Sequence, residues 1–461
     1  MTFMERIERM NPAMLIERPE IRAFWDKSLC WTLAHRRAFK HFLGNRLPQD
    51  DFFNYQTDKE PIHLSEVELA ILCWAGAGTS GLIRNDRSFS QNAAAHPWFE
   101  GRVYPSACNV WFAHLLFTND EGVFLYRPHV PKKIVEINTV EDMAVIFKAF
   151  KEGVVQLSGE PIWKTEEAVF NKQKRSTSSK SPTGLEKMFQ PGVTCFFPLV
   201  DITVEAINIL FMLHGTGTRL FDEEAGKLTG VKEWVDRGLL NVKEVPLRLF
   251  ESGVIQILIA HQYYIHQNLL LAATALGLGA YVTGGGYDSL MCLHECMEKG
   301  GRGFRFASDA QGFKYPVGID GIIETHMPPY MSMDEAVQDV YDMKFKRGYG
   351  RYSAEVKEGA EVMYPGFDPH PRAVHRPFLE AEKYTRAARV DPVESLEIAK
   401  CVANYIYDNY GRFPKLFNPI LCESFVQVSH IDLEFYEQYQ VAGSIWKEQK
   451  EHLQVWHGRD A

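Results

Sequence analysis

The segment from Val254 to Gly279 constrains the fold most, because it is the most apolar stretch of the chain. Its length would suit a membrane span. Its middle, however, is polar and carries His261, Gln262, His266, Gln267 and Asn268. Since ionisable and amide side chains are costly inside a bilayer, we predict a long helix buried in a soluble protein, with no membrane partner.

The composition of the chain is typical of a soluble globular protein. Of its 461 residues, 46% are hydrophobic and 24% are charged, and the length exceeds that of one average domain. Lysine and arginine number 50 against 59 acidic residues, which gives a net charge of −9, and the sequence has no long basic run. Nucleic acid is therefore not expected as a partner.

The cysteines and the N-terminal sequence both indicate the cytoplasm. The eight cysteines are scattered through a long chain, which is typical of reduced thiols. The first residues alternate charged and apolar types and lack the apolar core of a signal peptide. A cytoplasmic location is therefore predicted.

No metal site is predicted. Cys292 and Cys296 enclose His294, but a zinc site normally needs a second pair of ligands at comparable spacing. His430 and Asp432 lie close together in the sequence without an evident third ligand. We interpret both groups as structural.

Local patterns predict a mixture of helices and strands. The N-terminal segment has apolar residues at helical spacing, and Ser65 is a candidate N-cap for a helix that Gly76 and Gly78 would end. Two β-rich runs separated by "NDEG" predict a hairpin. Residues 142–152 predict a short helix, and residues 172–184 a mobile loop. A change of composition near residue 355 predicts a domain boundary, followed by a largely helical tail.

Four segments carry candidate binding chemistry, although each has an ordinary structural explanation by itself. Arg36 and Lys40 are four residues apart, which would put both cations on one helix face. The turn "YPSACN" precedes an apolar run. In "LGLGAYVTGGG", glycines let the backbone approach a ligand without intervening side chains. Lys344 belongs to a basic cluster that would end a helix.

Taken in order, these segments resemble the flavin-dependent nitroreductase superfamily, and most closely its peptide azoline dehydrogenase branch. The resemblance covers roughly residues 30–350 and is carried by "RAFKHF", "GRVYPSACNVWFAHLLFTNDEGVFLYRP" and "QNLLLAATALGLG". It implies an α+β fold with a mixed, mainly antiparallel sheet flanked by helices, and a helical C-terminal extension. It also implies FMN as the cofactor, bound at a homodimer interface.

The resemblance implies FMN contacts residue by residue. Those for the phosphate are Arg36, Ala38, Lys40 and Lys344; those that line the flavin ring are Arg102, Pro105, Ser106, Ala107 and Asn109; those that face the N5/O4 edge are Thr283, Gly284 and Gly285. The sequence departs from the family pattern at Ala38, where the family has serine, and at Val110-Trp111, where Gln-Pro is frequent.

The function implied is that of an FMN-dependent oxidoreductase that transfers a hydride through flavin N5 to or from a small organic substrate, with NAD(P)H as a candidate electron donor. Two alternatives stay open. One is a biosynthetic dehydrogenase that oxidises a heterocyclic or amine-derived substrate and passes electrons to oxygen. The other is a flavin-binding protein without turnover. Residues 1–355 would form the FMN-binding domain, with 155–250 as a lid or substrate insertion, and 356–461 the extension. No catalytic acid or base is singled out.

Overall fold

The structure of the chain is a computed structural model. It describes residues 1–45, 53, 55, 57–82, 100–106, 113–127, 136–161, 190–284, 293–295, 297–299, 301–342, 393–441 and 443–458.

The helices are distributed along the whole described chain. In chain order they are α1 (Phe3–Arg9), α2 (Pro12–Leu15), α3 (Pro19–Trp25), α4 (Leu29–His35), α5 (Glu66–Ala77), α6 (Ala144–Gly153), α7 (Thr203–Gly215), α8 (Lys232–Asp236), α9 (Leu247–Leu276), α10 (Met333–Tyr341), α11 (Val393–Tyr410), α12 (Leu433–Tyr439) and α13 (Lys447–His457).

The strands are interspersed among these helices. They are β1 (Thr79–Leu82), β2 (Glu100–Arg102), β3 (Ala113–Asn119), β4 (Gly122–Tyr126), β5 (Val154–Ser158), β6 (Thr194–Asp201), β7 (Thr218–Asp222), β8 (Lys227–Leu228), β9 (Lys243–Pro246), β10 (Gly279–Gly284), β11 (Arg305–Ser308), β12 (Lys314–Ile319), β13 (Ile323–Glu324), β14 (Ile420–Leu421) and β15 (Ser424–Ser429).

The central sheet is antiparallel, and its described strands follow the order β10-β15-β6-β3-β4-β5, with β14 also paired to β6. Successive side chains of a strand point to opposite faces. Accordingly, Leu115 and Phe117 of β3 join the core that contains α5 and α9, whereas Leu116 joins a separate core cluster. Both faces of the sheet are therefore buried, and the predicted α+β architecture is confirmed at this level.

The elements with strong local signals form as predicted. The Ser65 hydroxyl accepts a hydrogen bond from the Glu68 amide at 3.3 Å. Helix α5 continues through Gly76, which does not end it as predicted, and stops at Ala77 before Gly78. The two β-rich runs pair as the hairpin β3–β4, and the short helix α6 lies close to its predicted bounds. These features depend on neighbouring residues, which explains why the sequence predicts them well.

The predicted long helix is α9, which begins before the apolar segment, directly after Pro246. It ends at Gly277, whose positive φ of 87° forms a left-handed cap. Among the described helices, none combines the length and the apolar character needed to cross a membrane.

The polar residues in the middle of α9 bind neighbouring backbone. Gln262 donates to the Leu421 carbonyl at 2.7 Å and accepts from the Glu423 amide at 3.1 Å. Asn268 donates to the Val103 carbonyl at 3.1 Å. These hydrogen bonds explain why amide side chains interrupt an otherwise apolar segment: a buried polar group is stable when it is paired.

Segments predicted outside the core contribute to the central sheet. Residues 155–250, predicted as a lid or insertion, supply β6 to the middle of the sheet and α7 to the core, so residues 194–215 are not a cover. The tail contains the predicted helices, but its strand β15 lies between β10 and β6. The boundary near 355 and the loop 172–184 lie outside the described residues, so the domain division stays a prediction.

Gly277 offers a test of how α13 packs on the end of α9. A Cβ at Gly277 would lie 2.6 Å from the carbonyl oxygen of Glu448 in α13. We expect Gly277→Ala to lower the free energy of unfolding by about 2–5 kcal/mol, since overpacking (~1–3) adds to left-handed strain (~1–2).

Gly312→Ala is the matched control, because Gly312 has nearly the same φ of +86° and an open Cβ position. Only left-handed backbone strain acts at Gly312, so its substitution should lower the free energy of unfolding by about 1–2 kcal/mol. Urea denaturation measures both variants, and equal losses would contradict the close contact between α9 and α13.

Candidate functional site

The structure describes most of the predicted FMN contacts but not all of them. Arg36, Ser106 and Thr283 are partly exposed, Ala38, Lys40, Pro105 and Gly284 are exposed, and Arg102 is buried. Ala107, Asn109, Gly285 and Lys344 lie outside the described residues, so their predicted roles stay predictions.

The prediction that Arg36 and Lys40 share a helix face is wrong. Helix α4 ends at His35, and Arg36 adopts an extended backbone with φ −60° and ψ 117°. The amides of Lys40 and His41 both donate to the hydroxyl of Tyr436, at 2.9 and 3.0 Å, rather than to carbonyls one helical turn earlier. A side chain of the tail therefore holds this segment in an extended form.

The extended segment brings Lys40 to strand β10. The ammonium of Lys40 lies 5.5 Å from the centre of the Tyr281 ring, within the range of a cation–π contact. Two residues further along β10 is Thr283. Gln427 of β15 joins the two, since its Nε2 donates to the Tyr281 hydroxyl at 2.8 Å and to the Thr283 hydroxyl at 3.1 Å. Lys40 and Thr283 thus belong to one local patch.

A glycine permits the close approach behind this patch. A Cβ at Gly279 would lie 2.8 Å from the ring of Phe42 and 2.9 Å from the side chain of Ile431. Phe42 and Ile431 also form an isolated antiparallel bridge. The start of β10 therefore packs closely against the segment that contains Lys40.

The turn predicted to line the flavin is anchored on α9. The Val103 carbonyl is held by Asn268, and the Arg102 guanidinium lies 5.7 Å from the centre of the Tyr104 ring. The Tyr104 hydroxyl and the Ser106 hydroxyl are buried and form no hydrogen bond with the described residues. Burial raises the pKa of Tyr104, so its hydroxyl stays protonated at neutral pH.

Two histidines of α9 are neutral at physiological pH. Burial lowers the pKa of His261 and of His266 to about 4. His266 Nδ1 lies 3.4 Å from the hydroxyl of Ser424, and Ser424 pairs with Gly284 across the β10–β15 ladder. His266 therefore connects α9 to the end of β10.

The predicted contacts fall into two groups on different faces of α9. The turn 102–106 meets the face that carries His261 and Asn268, seven residues apart, whereas the end of β10 meets the face that carries Gln262 and His266, four residues apart. Residues at these spacings share a helix face, and the two pairs are rotated from each other. The fold thus places Lys40 beside β10, whereas the turn 102–106 contacts a different face of α9.

Sequence reasoning missed a buried polar cluster of Glu68, His430, His452 and His457, whose ligand atoms lie within 4.8 Å of one another. From the sequence, His430 is interpreted as structural because no third ligand is evident beside Asp432. Asp432 in fact belongs to a different group, where both its oxygens accept from Tyr55 at 2.9 Å. The reason for expecting no metal at His430 therefore does not hold.

Few sequence signals could have found this cluster. "SEVE" is the pattern of a capping box, which gives Glu68 an ordinary role, and Glu68 does accept from the Ser65 amide at 2.6 Å. His452 and His457 are five residues apart, which is not the spacing of a helical ligand pair.

Comparisons with known proteins give little further information. No protein-family model matches the chain, and no curated protein matches it. Among solved structures, the chain is similar to a "putative nitroreductase" from Ralstonia eutropha JMP134 at 14% sequence identity and a TM-score of 0.25, over 59% of this chain and 76% of that one. At this TM-score the similarity supports no argument about the fold or the function.

His266 gives the site a testable pH dependence. Its folded pKa of about 4 lies below the unfolded value, so the unfolded chain takes up the proton first as the pH falls. Stability should therefore decline between about pH 6.5 and pH 4, and His266→Gln should remove up to about 3 kcal/mol of that decline. Urea denaturation across this pH range measures it.

His63→Gln should change the pH dependence in the opposite direction. The hydrogen bond to Asp120 raises the pKa of His63, so this histidine stabilises the fold at low pH and the contribution is lost as the pH rises. Removal of the His63 imidazole should therefore make the free energy of unfolding fall more steeply as the pH is lowered. If both variants shift the profile in the same direction, the neutral state assigned to His266 is wrong.

Proposed function

We propose that the protein is an FMN-dependent oxidoreductase that transfers a hydride through flavin N5 to or from a small organic substrate. The observation that carries the proposal is the proximity of Lys40 to β10, the strand that ends in Thr283 and Gly284. The motif resemblance assigns the phosphate to Lys40 and the N5/O4 edge to the end of β10. That two segments so distant in sequence meet in one patch supports this assignment.

The residues of the patch suit a phosphate and a flat ring. Arg36 and Lys40 are cations for a phosphate that carries nearly two negative charges. Among the described residues, nothing lies within 4 Å of the Cβ position of Gly284, so a planar ring can approach the backbone there.

FMN would supply the electron-accepting ring, and the chain would orient it. Gln427 donates to the hydroxyls of Tyr281 and Thr283 and so holds these two side chains of β10 in place. Because His261 and His266 are neutral, they add no positive charge to the proposed FMN site.

We propose further that a second copy of the chain completes the site. The turn 102–106 and the end of β10 lie on different faces of α9, so a twofold dimer could bring the turn of one copy to the β10 end of the other. Helix α9 also exposes Tyr263 by 51% and Tyr264 by 43%. Exposed aromatic side chains are enriched at protein interfaces.

The first experiment is to load the purified protein with FMN and follow the flavin absorbance without oxygen. Bleaching by NAD(P)H would support a reductase. Bleaching by an amine or a heterocycle, with colour restored by oxygen, would support a biosynthetic dehydrogenase. Oxidised FMN that no donor reduces would indicate a flavin-binding protein without turnover, and failure to bind FMN would overturn the proposal.

The phosphate assignment predicts the effect of removing both cations. The Arg36→Ala, Lys40→Ala double variant should bind FMN at least tenfold more weakly, because charge-assisted hydrogen bonds contribute about 1.5–3 kcal/mol each. Flavin fluorescence titration measures the dissociation constant.

Arg37→Ala is the matched control. Arg37 is an exposed neighbouring cation whose guanidinium donates to the Ala34 and Arg36 carbonyls. Its removal should leave FMN affinity unchanged. Equal affinity of the double variant and the wild type would remove Arg36 and Lys40 from the phosphate site.

A further inference from the structure

Four side chains from three elements converge in the core at a place that the flavin proposal does not use. Glu68 belongs to the first turn of α5, His430 follows β15, and His452 and His457 belong to α13. Glu68, His430 and His452 are almost fully buried, and the side chain of His457 is 13% exposed. A buried carboxylate surrounded by imidazoles has to be compensated in charge and in hydrogen bonds.

The hydrogen bonds of two rings fix their tautomers. His430 Nδ1 lies 3.0 Å from the Ile62 carbonyl and His452 Nδ1 lies 2.7 Å from the Leu276 carbonyl. A carbonyl only accepts, so each Nδ1 carries the proton and each Nε2 of a neutral ring presents a lone pair. Both Nε2 atoms face Glu68, whose ionised oxygens also carry only lone pairs.

Lone pairs that face one another repel unless a cation lies between them. His452 Nε2 approaches Glu68 Oε1 at 2.9 Å, yet neither atom forms a hydrogen bond of good geometry with the described residues. The cluster thus places the Nε2 atoms of two imidazole rings beside the oxygens of a buried carboxylate.

Several distances between the converging atoms are close to the ligand separations around a tetrahedral ion. His430 Nε2 and His457 Nε2 are 3.0 Å apart, His457 Nε2 is 3.2 Å from Glu68 Oε2, and His430 Nε2 is 3.5 Å from Glu68 Oε1. For metal bonds of about 2.0–2.1 Å, the ligands of a tetrahedral zinc ion are about 3.3 Å apart.

We propose that Glu68, His430, His452 and His457 form a binding site for one divalent transition-metal ion, with zinc the best match to three imidazoles and a carboxylate. Carbonyl oxygens that hold the far nitrogens of two rings are the usual second shell of such a site. The four protein ligands fill a tetrahedron, and the site is buried, so the ion has a structural role. The ion links α13 to α5 and to the end of β15.

The test is metal analysis of the full-length, tag-free protein by mass spectrometry, with and without prior dialysis against a chelator. We expect about one zinc ion per chain before dialysis. Removal of the ion should lower the melting temperature, and added zinc should restore it, because an ion that binds only the folded state stabilises it. Cobalt(II) reloading should give the visible absorption of a tetrahedral site.

His457→Ala removes the most exposed ligand and is the variant best placed to fold. It should bind zinc at least tenfold more weakly than the wild type. His326→Ala is the matched control, since His326 is also buried but pairs with Asp339 at 3.0 Å, and it should keep the ion. If His457→Ala does not fold, the cobalt spectrum and the chelator response of the wild type decide the question.

A folded wild-type protein that holds no metal and whose melting temperature responds to neither chelator nor zinc would overturn the proposal. The cluster would then be a buried ion pair between Glu68 and a protonated histidine. Equal metal content in His457→Ala and His326→Ala would also overturn it. None of these measurements involves FMN, so they fail or succeed independently of the proposed function.

Discussion

Two amide side chains in the middle of α9 hold this helix in the core. Gln262 and Asn268 hydrogen-bond to backbone groups of other segments, and leaving the buried Gln262 amide unpaired would cost about 1–3 kcal/mol. Their partners are Val103 just after β2, Leu421 at the end of β14, and Glu423 between β14 and β15. The same bonds that make α9 tolerable in an apolar core therefore position the turn near residue 103 and the chain entering β15. The candidate flavin site lies next to these two segments, which contact different faces of α9.

Local signals determined what could be predicted from the sequence. The N-cap at Ser65 and the turn between β3 and β4 are each complete within a few residues, and each forms as expected. The amides of Lys40 and His41 bind the hydroxyl of Tyr436, which is 396 residues away from Lys40. No periodicity in "RRAFK" reports a hydroxyl at that distance, so the helical interpretation failed there.

The candidate sites show the same difference between features that the sequence predicts and features that depend on residues distant in sequence. Motif order alone could propose that Lys40 and Thr283 bind one ligand, and their proximity agrees with that order. The grouping of Glu68 with His430, His452 and His457 could not be predicted, because each residue has an adequate local role in the sequence: a cap, a strand end, a helix surface. Only the packing of α13 against α5 turns these separate residues into one cluster. Sites whose ligands come from several elements carry little signal in a single sequence.

The position of β15 has a consequence for the order in which the protein is made. Strand β10 reaches the rest of the central sheet only through β15, which lies between β10 and β6 among the described strands. While the ribosome synthesises the chain, residues 194–284 must wait, with one edge of β6 and one edge of β10 uncovered, until residues 424–429 emerge. Pairings of such sequence separation form slowly, and uncovered strand edges favour aggregation. A nascent chain of this protein should therefore depend on chaperones for the interval between the two segments.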